Sequence, residues 1–155
     1  MEQLAFSDVT DLCQFMQQRL SYTNQQQRKQ AALNGFWWKT PAETLRDGHG
    51  FCYDLAAFAL HHLQALDLLE TKLLFVAWGD FGKASNSGHF VSTFQQDQDY
   101  YCIDNGFLKG PLSLAGLLKT ASRNRAITVY KWFLPNEICY HLGYLGMNKF
   151  VKNTC

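Results

Sequence analysis

Cys52, His89 and Asp104 are the residues of this 155-residue chain whose types and placement could carry out one reaction together. A thiol becomes a nucleophile when its surroundings favour thiolate, and an imidazole can take its proton and later return it. A carboxylate on the far ring nitrogen fixes the tautomer and steadies the charged ring. The chemistry would be attack on a carbonyl carbon and formation of a thioester. A zinc set of His49, Cys52, His61 and His62 is the competing use of the same thiol. It is disfavoured because His61 and His62 point about 100° apart on a helix, with Cys52 more than two turns away.

The elements that must position these groups are readable. Gly48-His49-Gly50 is a turn, and Phe51 to Leu66 reads as a helix, with Cys52, Leu55, Ala56, Ala59, Leu60, Leu63 and Leu66 on one broad stripe. Cys52 then stands in the first helical turn. There the positive end of the helix dipole favours thiolate, and unpaired backbone N–H groups could hold an oxyanion. His89 to Phe94 and Asp99 to Asp104 read as two strands of a hairpin. A loop centred on Gln96 and Asp97 pairs Phe94 with Asp99 and His89 with Asp104. Directly opposed residues have Cβ atoms about 4.5–5.5 Å apart and project from one face. A single-residue bulge would turn Asp104 to the other face.

The remaining segments supply the frame. Ser7 and Asp8 cap a helix reaching Leu20. Gln25 to Gln30 reads as a solvated helix face or loop. Thr40-Pro41-Ala42-Glu43 is a capping box for a short helix ending near Asp47-Gly48. Leu73 to Trp78 is a continuous apolar run, read as a central strand, and 79–88 is a loop. Asn105-Gly106 ends the second hairpin strand, Leu112 to Leu118 reads as a helix and Ala126 to Phe133 as a strand, and the tail after Pro135 reads as a helix. Helices first and a mostly antiparallel sheet after them define an α+β chain, expected to be one domain over residues 1–155.

Fourteen basic against thirteen acidic residues give a net charge of +1. That excludes general electrostatic binding to nucleic acid or to an anionic membrane. The longest apolar run, six residues from Leu73 to Trp78, is far short of the roughly 20 needed to span a bilayer. Lys119, Arg123 and Arg125 read as a solvated face, and no phosphate-binding glycine loop is present. The five cysteines are an odd number, and the N-terminus shows no export signal, so a reduced, cytoplasmic protein is expected. No cofactor and no metal are expected.

Three segments in order resemble the bacterial transglutaminase-like cysteine proteinases. Trp37 to Leu45 followed by Gly48-His49-Gly50-Phe51-Cys52-Tyr53-Asp54-Leu55-Ala56 is similar to that family's tryptophan and Thr-Pro segment and its cysteine at a helix start. Ser87-Gly88-His89-Phe90-Val91 is similar to its strand histidine, and Tyr101-Cys102-Ile103-Asp104-Asn105 to its strand-ending aspartate. The resemblance covers residues 36–106. It implies a papain-like α+β core with the cysteine helix packed on an antiparallel sheet, and a triad of Cys52, His89 and Asp104. The family keeps acidic residues beside the cysteine, where some bind calcium. Here the flanks are Phe51 and Tyr53, so no such site is expected. Trp37 or Trp38 would either wall the acyl site or simply pack. Arylamine N-acetyltransferases share the triad spacing, but Gly50-Phe51-Cys52 lacks their approach to the cysteine. The expectation is a cysteine hydrolase, a peptidase or amidase, acting on a protein or peptide. The alternatives are a transglutaminase or protein deamidase with the same triad, and a binding module that kept only the fold.

Overall fold

The structure is a computed structural model and describes residues 4–33, 35–79 and 88–141. In chain order its elements are α1 (Val9–Arg19), β1 (Ser21–Tyr22), α2 (Gln25–Leu33), α3 (Pro41–Asp47), β2 (His49–Gly50) and α4 (Cys52–Leu63). There follow β3 (Leu69–Trp78), β4 (Gly88–Gln96), β5 (Asp99–Asp104), β6 (Phe107–Leu112), α5 (Leu114–Ala121) and β7 (Ile127–Phe133). Strands β3 to β7 form an antiparallel sheet in the order β6-β5-β4-β3-β7. The short β1 and β2 pair parallel, apart from it.

The apolar run in β3 is continuous because both of its faces are covered. Leu73, Phe75 and Ala77 pack with Trp38, Ala56, Ala57, Leu60, Phe90 and Phe133. Leu74 and Val76, pointing the other way, pack with Val91, Cys102, Leu117 and Ala121 of α5. Alternate residues of a strand leave opposite faces, so a strand between two layers must be apolar throughout. A second cluster on the α4 side joins Leu55, Phe58, Ala59 and Leu63 to Leu12, Cys13 and Met16 of α1 and to Phe94 and Ile103. The α+β architecture expected from the sequence is the one observed.

Local signals explain the helix limits. Asp8 caps α1 by accepting from the Asp11 N–H at 2.9 Å. Thr40 and Glu43 close their capping box around the start of α3, and Gly48 ends that helix in the left-handed region at φ 71°. Helix α2 has no buried residue, in keeping with a solvated segment. The helix expected through Leu66 stops at Leu63 and continues as one 3₁₀ turn, Gln64–Leu66, before Asp67 turns left-handed. The helix expected at Leu112 to Leu118 runs instead from Leu114 to Ala121, capped by the Ser113 hydroxyl. Only a 3₁₀ turn, Pro135–Glu137, follows Pro135 among the described residues. Residues 80–87 of the expected loop, and 142–155 of the tail, lie outside the described residues.

The hairpin between β4 and β5 corrects an expectation. Gln96 pairs with Asp99, Phe94 with Tyr101 and Ser92 with Ile103. The loop is therefore two residues, Asp97 and Gln98, both at positive φ (52° and 71°). Such primed turns match the twist of the strands they join. The four-residue loop expected from the sequence would have placed Phe94 opposite Asp99 and His89 opposite Asp104. Both pairings move by two residues, which preserves the faces.

Strand β6 was not expected at all. Asn105 and Gly106, at φ 50° and 92°, form a second two-residue turn that returns the chain as β6, with Asp104 paired to Phe107 and Cys102 to Lys109.

Candidate active site

Cys52 is the first residue of α4. Phe51 occupies the N-cap position and has no side chain able to cap the helix, so it leaves the first-turn N–H groups without the usual hydroxyl or carboxylate acceptor. The start of α4 is held by Asp54, which is fully buried. Its Oδ2 accepts from the Phe51 N–H at 2.9 Å and its Oδ1 from the Lys39 N–H at 2.8 Å. One carboxylate thus joins the helix start to the Trp38-Lys39 segment. Burial raises the Asp54 pKa to about 7, against these two donors and the Lys39 charge. Gly50 is required here, because a Cβ on it would lie 2.6 Å from Asp54 Cβ.

His89 and Asp104 are both 5 % exposed, and His89 Nε2 lies 2.7 Å from Asp104 Oδ1. They are diagonal neighbours: continuing the β4–β5 register by one residue puts Asp104 opposite Val91, two residues from His89. Diagonal pairs on one face remain within reach of long side chains. Beyond Asp104 the chain has turned into Asn105-Gly106, so the first residues of β4 have only β3 beside them in the sheet. The Cys52 thiol meets His89 through a side-chain hydrogen bond. The structure therefore brings together all three residues singled out in the sequence.

The electrostatics follow from these contacts. Burial opposes charge on His89, but the hydrogen bonds and charges of Asp104 and Cys52 outweigh it and raise its pKa to about 9. Burial pushes the Asp104 carboxyl up, yet His89 and then Lys109 pull it down to about 2. Asp104 is a carboxylate at neutral pH, and His89 favours the imidazolium. Cys13 and Cys102, the other thiols that are free among the described residues, are buried, and burial raises them to about 11 and about 12.

Lys109 is a member of the site that sequence reasoning missed. Its Nζ lies 3.0 Å from Asp104 Oδ2, the oxygen His89 does not use. A signal for it existed, since Asn-Gly is the strongest short hairpin signature and implies a returning strand beside Asp104. Asp54 was also missed as an anchor, although its place three residues after Phe51 suits the reaching-back carboxylate of a capping box.

Other sequence candidates separate from the site. Trp38 is fully buried, its Nε1 donates to the Tyr53 carbonyl at 3.0 Å, and it packs in the core. Trp37 is 45 % exposed and lies against the His141 ring. His49 sits 3.3 Å from Thr23 Oγ1, and His62 packs against Phe6 and Phe58. The four residues of the zinc alternative do not converge, and no group of three or more potential ligands occurs among the described residues. Arg125 covers the Trp78 ring at 4.7 Å. A cavity of about 250 Å³ lined by Trp37, Lys39, Glu43, Arg46 and Asp47 contains none of the triad residues. No helix among the described residues is long and apolar enough to cross a membrane.

A buried His–Asp pair beside a thiol at a helix start, on helices packed against an antiparallel sheet, is an arrangement that comparison with known families can place. A model of the transglutaminase-like domain matches residues 5–131, and the chain belongs to that family. Among solved structures it is similar to LapG of Legionella pneumophila, with a TM-score of 0.51 and 18% identity over 81% of this chain. That match spans 66% of the LapG chain, just under two thirds of it. An EGTA-treated LapG structure matches with a TM-score of 0.51 and 17% identity, over 91% of this chain and 73% of that one. No curated protein matches.

The residues here do not fit a calcium site beside the cysteine. Calcium takes several oxygen ligands. Phe51 and Tyr53 offer no carboxylate, and both Asp54 oxygens already accept backbone N–H groups.

Proposed function

We propose that this chain, as one transglutaminase-like domain over residues 1–155, is a cysteine hydrolase acting on amide or peptide bonds of a protein or peptide substrate. The observation that carries this reading is the 2.7 Å contact between His89 and Asp104, with the Cys52 thiol on the same imidazole. The Cys52 sulfur attacks the substrate carbonyl carbon, and the carbonyl π electrons move to oxygen. The Cys52 N–H, in the first turn of α4, donates to that oxyanion. His89 gives its proton to the leaving amine as the tetrahedral species collapses to a thioester. Water, deprotonated by the same imidazole, then releases the acid and frees the thiol. Asp104 holds the ring in place and stabilises its charge.

The test is a complex peptide mixture incubated with the protein and with a Cys52→Ala control, read by mass spectrometry. New peptide termini that depend on Cys52 support a peptidase. Conversion of glutamine to glutamate, or cross-linking to an added amine, without chain cleavage would move the activity to the deamidase or transglutaminase reading. Identical products from both proteins would leave only a binding role.

A further inference from the structure

Tyr22 stands where the substrate carbonyl oxygen has to go. It is the second residue of β1, and its backbone is fixed against the approach to the nucleophile: Tyr22 pairs with Gly50, and the Thr23 N–H donates to the Gly50 carbonyl at 3.0 Å. The Tyr22 ring meets the Phe51 ring edge-on, with centroids 6.1 Å apart, and the Arg28 guanidinium covers Phe51 at 5.2 Å. From this position the phenol oxygen accepts a hydrogen bond from the backbone N–H of Cys52.

We infer that Tyr22 is a catalytic residue that donates its hydroxyl to the oxyanion, completing with the Cys52 N–H a two-donor oxyanion hole. This inference rests on the reading of Cys52 as nucleophile. Without substrate, the phenol oxygen occupies the Cys52 N–H, which Phe51 cannot cap. When a carbonyl oxygen enters between the two groups, the N–H turns to it and the phenol O–H swings from acceptor to donor. Both donors then converge on the atom that gains negative charge, the arrangement with most leverage on the barrier. The phenol keeps its proton at neutral pH, because burial and the neighbouring Cys52 charge raise its pKa, although Arg28 and Arg123 pull the other way. Those two guanidinium groups also place positive potential near the developing oxyanion.

Two reagents separate this role from simple packing. p-Nitrophenyl acetate acylates a thiolate through a tetrahedral oxyanion. The sulfur bonds to the acetyl carbon, the oxyanion collapses, p-nitrophenolate leaves, and water later frees acetate. Iodoacetamide alkylates the same sulfur by displacing iodide, with no oxyanion. In Tyr22→Phe, with the fold checked by circular dichroism, acylation of Cys52 should slow about 100-fold while alkylation stays within about twofold. Equal rates for both reagents in the variant and the parent protein would overturn the inference. So would equal losses, which mean a general disturbance of the thiol. Faster acylation would show that the phenol only plugs the site. If Cys52 in the parent protein reacts with neither reagent faster than in the unfolded chain, the nucleophile reading itself fails.

Discussion

Lys109 and His89 divide the two oxygens of Asp104 between them, at 3.0 Å and 2.7 Å. The lysine side chain is 40 % exposed while the carboxylate is 5 % exposed, so Lys109 is the route by which solvent and salt act on a buried pair. Removing its positive charge leaves Asp104 to His89 alone. Lys109→Gln should therefore raise the His89 pKa, modestly because Lys109 is half in water. An NMR titration of the His89 ring checks this, and a downward shift would contradict it.

The same titration tests the pair directly. In the parent protein the His89 midpoint should fall near 9. In Asp104→Asn the raising influence is lost and burial is left, so the midpoint should drop below the ordinary 6.5. Turnover should fall by about four orders of magnitude, as it does when an orienting acid is removed from a triad.

Stability should follow the same groups. His89 has a raised pKa, so its contribution is complete below about 6.5 and is lost as pH rises through about 9. Asp104 has a lowered pKa, so its contribution is present above 3.8 and is lost as pH falls through about 2. Urea unfolding should thus show the pair contributing most between those limits. A His89→Gln variant should not show the alkaline decline that this pair produces.

Cys52→Ala should leave unfolding unchanged within about 0.5 kcal/mol, because Cys52 is only half-buried. On any substrate identified for the parent protein, turnover should fall by roughly four orders of magnitude or more. A folded variant that retains turnover would remove the thioester mechanism.

Asp54 and Gly50 should show the opposite pattern, with stability affected first. Asp54→Asn replaces one accepting oxygen by an amide donor, leaving one buried N–H without its partner, at a cost of about 1 to 3 kcal/mol. Gly50→Ala forces Asp54 aside and should cost a similar amount, about 1 to 3 kcal/mol. Both changes displace the start of α4, so thiol reactivity of Cys52 should change with them. Thermal unfolding and iodoacetamide kinetics measure the two effects separately.

The helix-borne parts of the site were legible in the sequence because their signals are local. The capping box at Thr40 and Glu43, the apolar stripe after Cys52 and the turn at Gly48 each lie within a few residues. The strand-borne parts were legible in face but not in register. A period of two survives a shift of two, so His89 and Asp104 stayed on one face although their expected pairing was wrong. The cause was a two-residue turn made by Asp97 and Gln98, neither of them glycine, both driven to positive φ by closure of the hairpin. Strand β6 was hidden because its Gly110-Pro111 reads as a break, and Lys109 was hidden with it. Asp54 shows its role only when a segment 15 residues away, at Lys39, comes back to it.

The turn at Asp97 and Gln98 sets the aim of the site from a distance. Asp104 lies six residues beyond Gln98, about 20 Å along an extended strand. Lengthening that remote bend by one residue would, if the ladder re-formed, reverse every side chain of β5 and point the acid away from the imidazole. Lengthening it by two would restore the direction but slide the acid about 7 Å along the strand. A small exposed corner, chemically inert in itself, therefore acts as the indexing pin of the whole reaction centre.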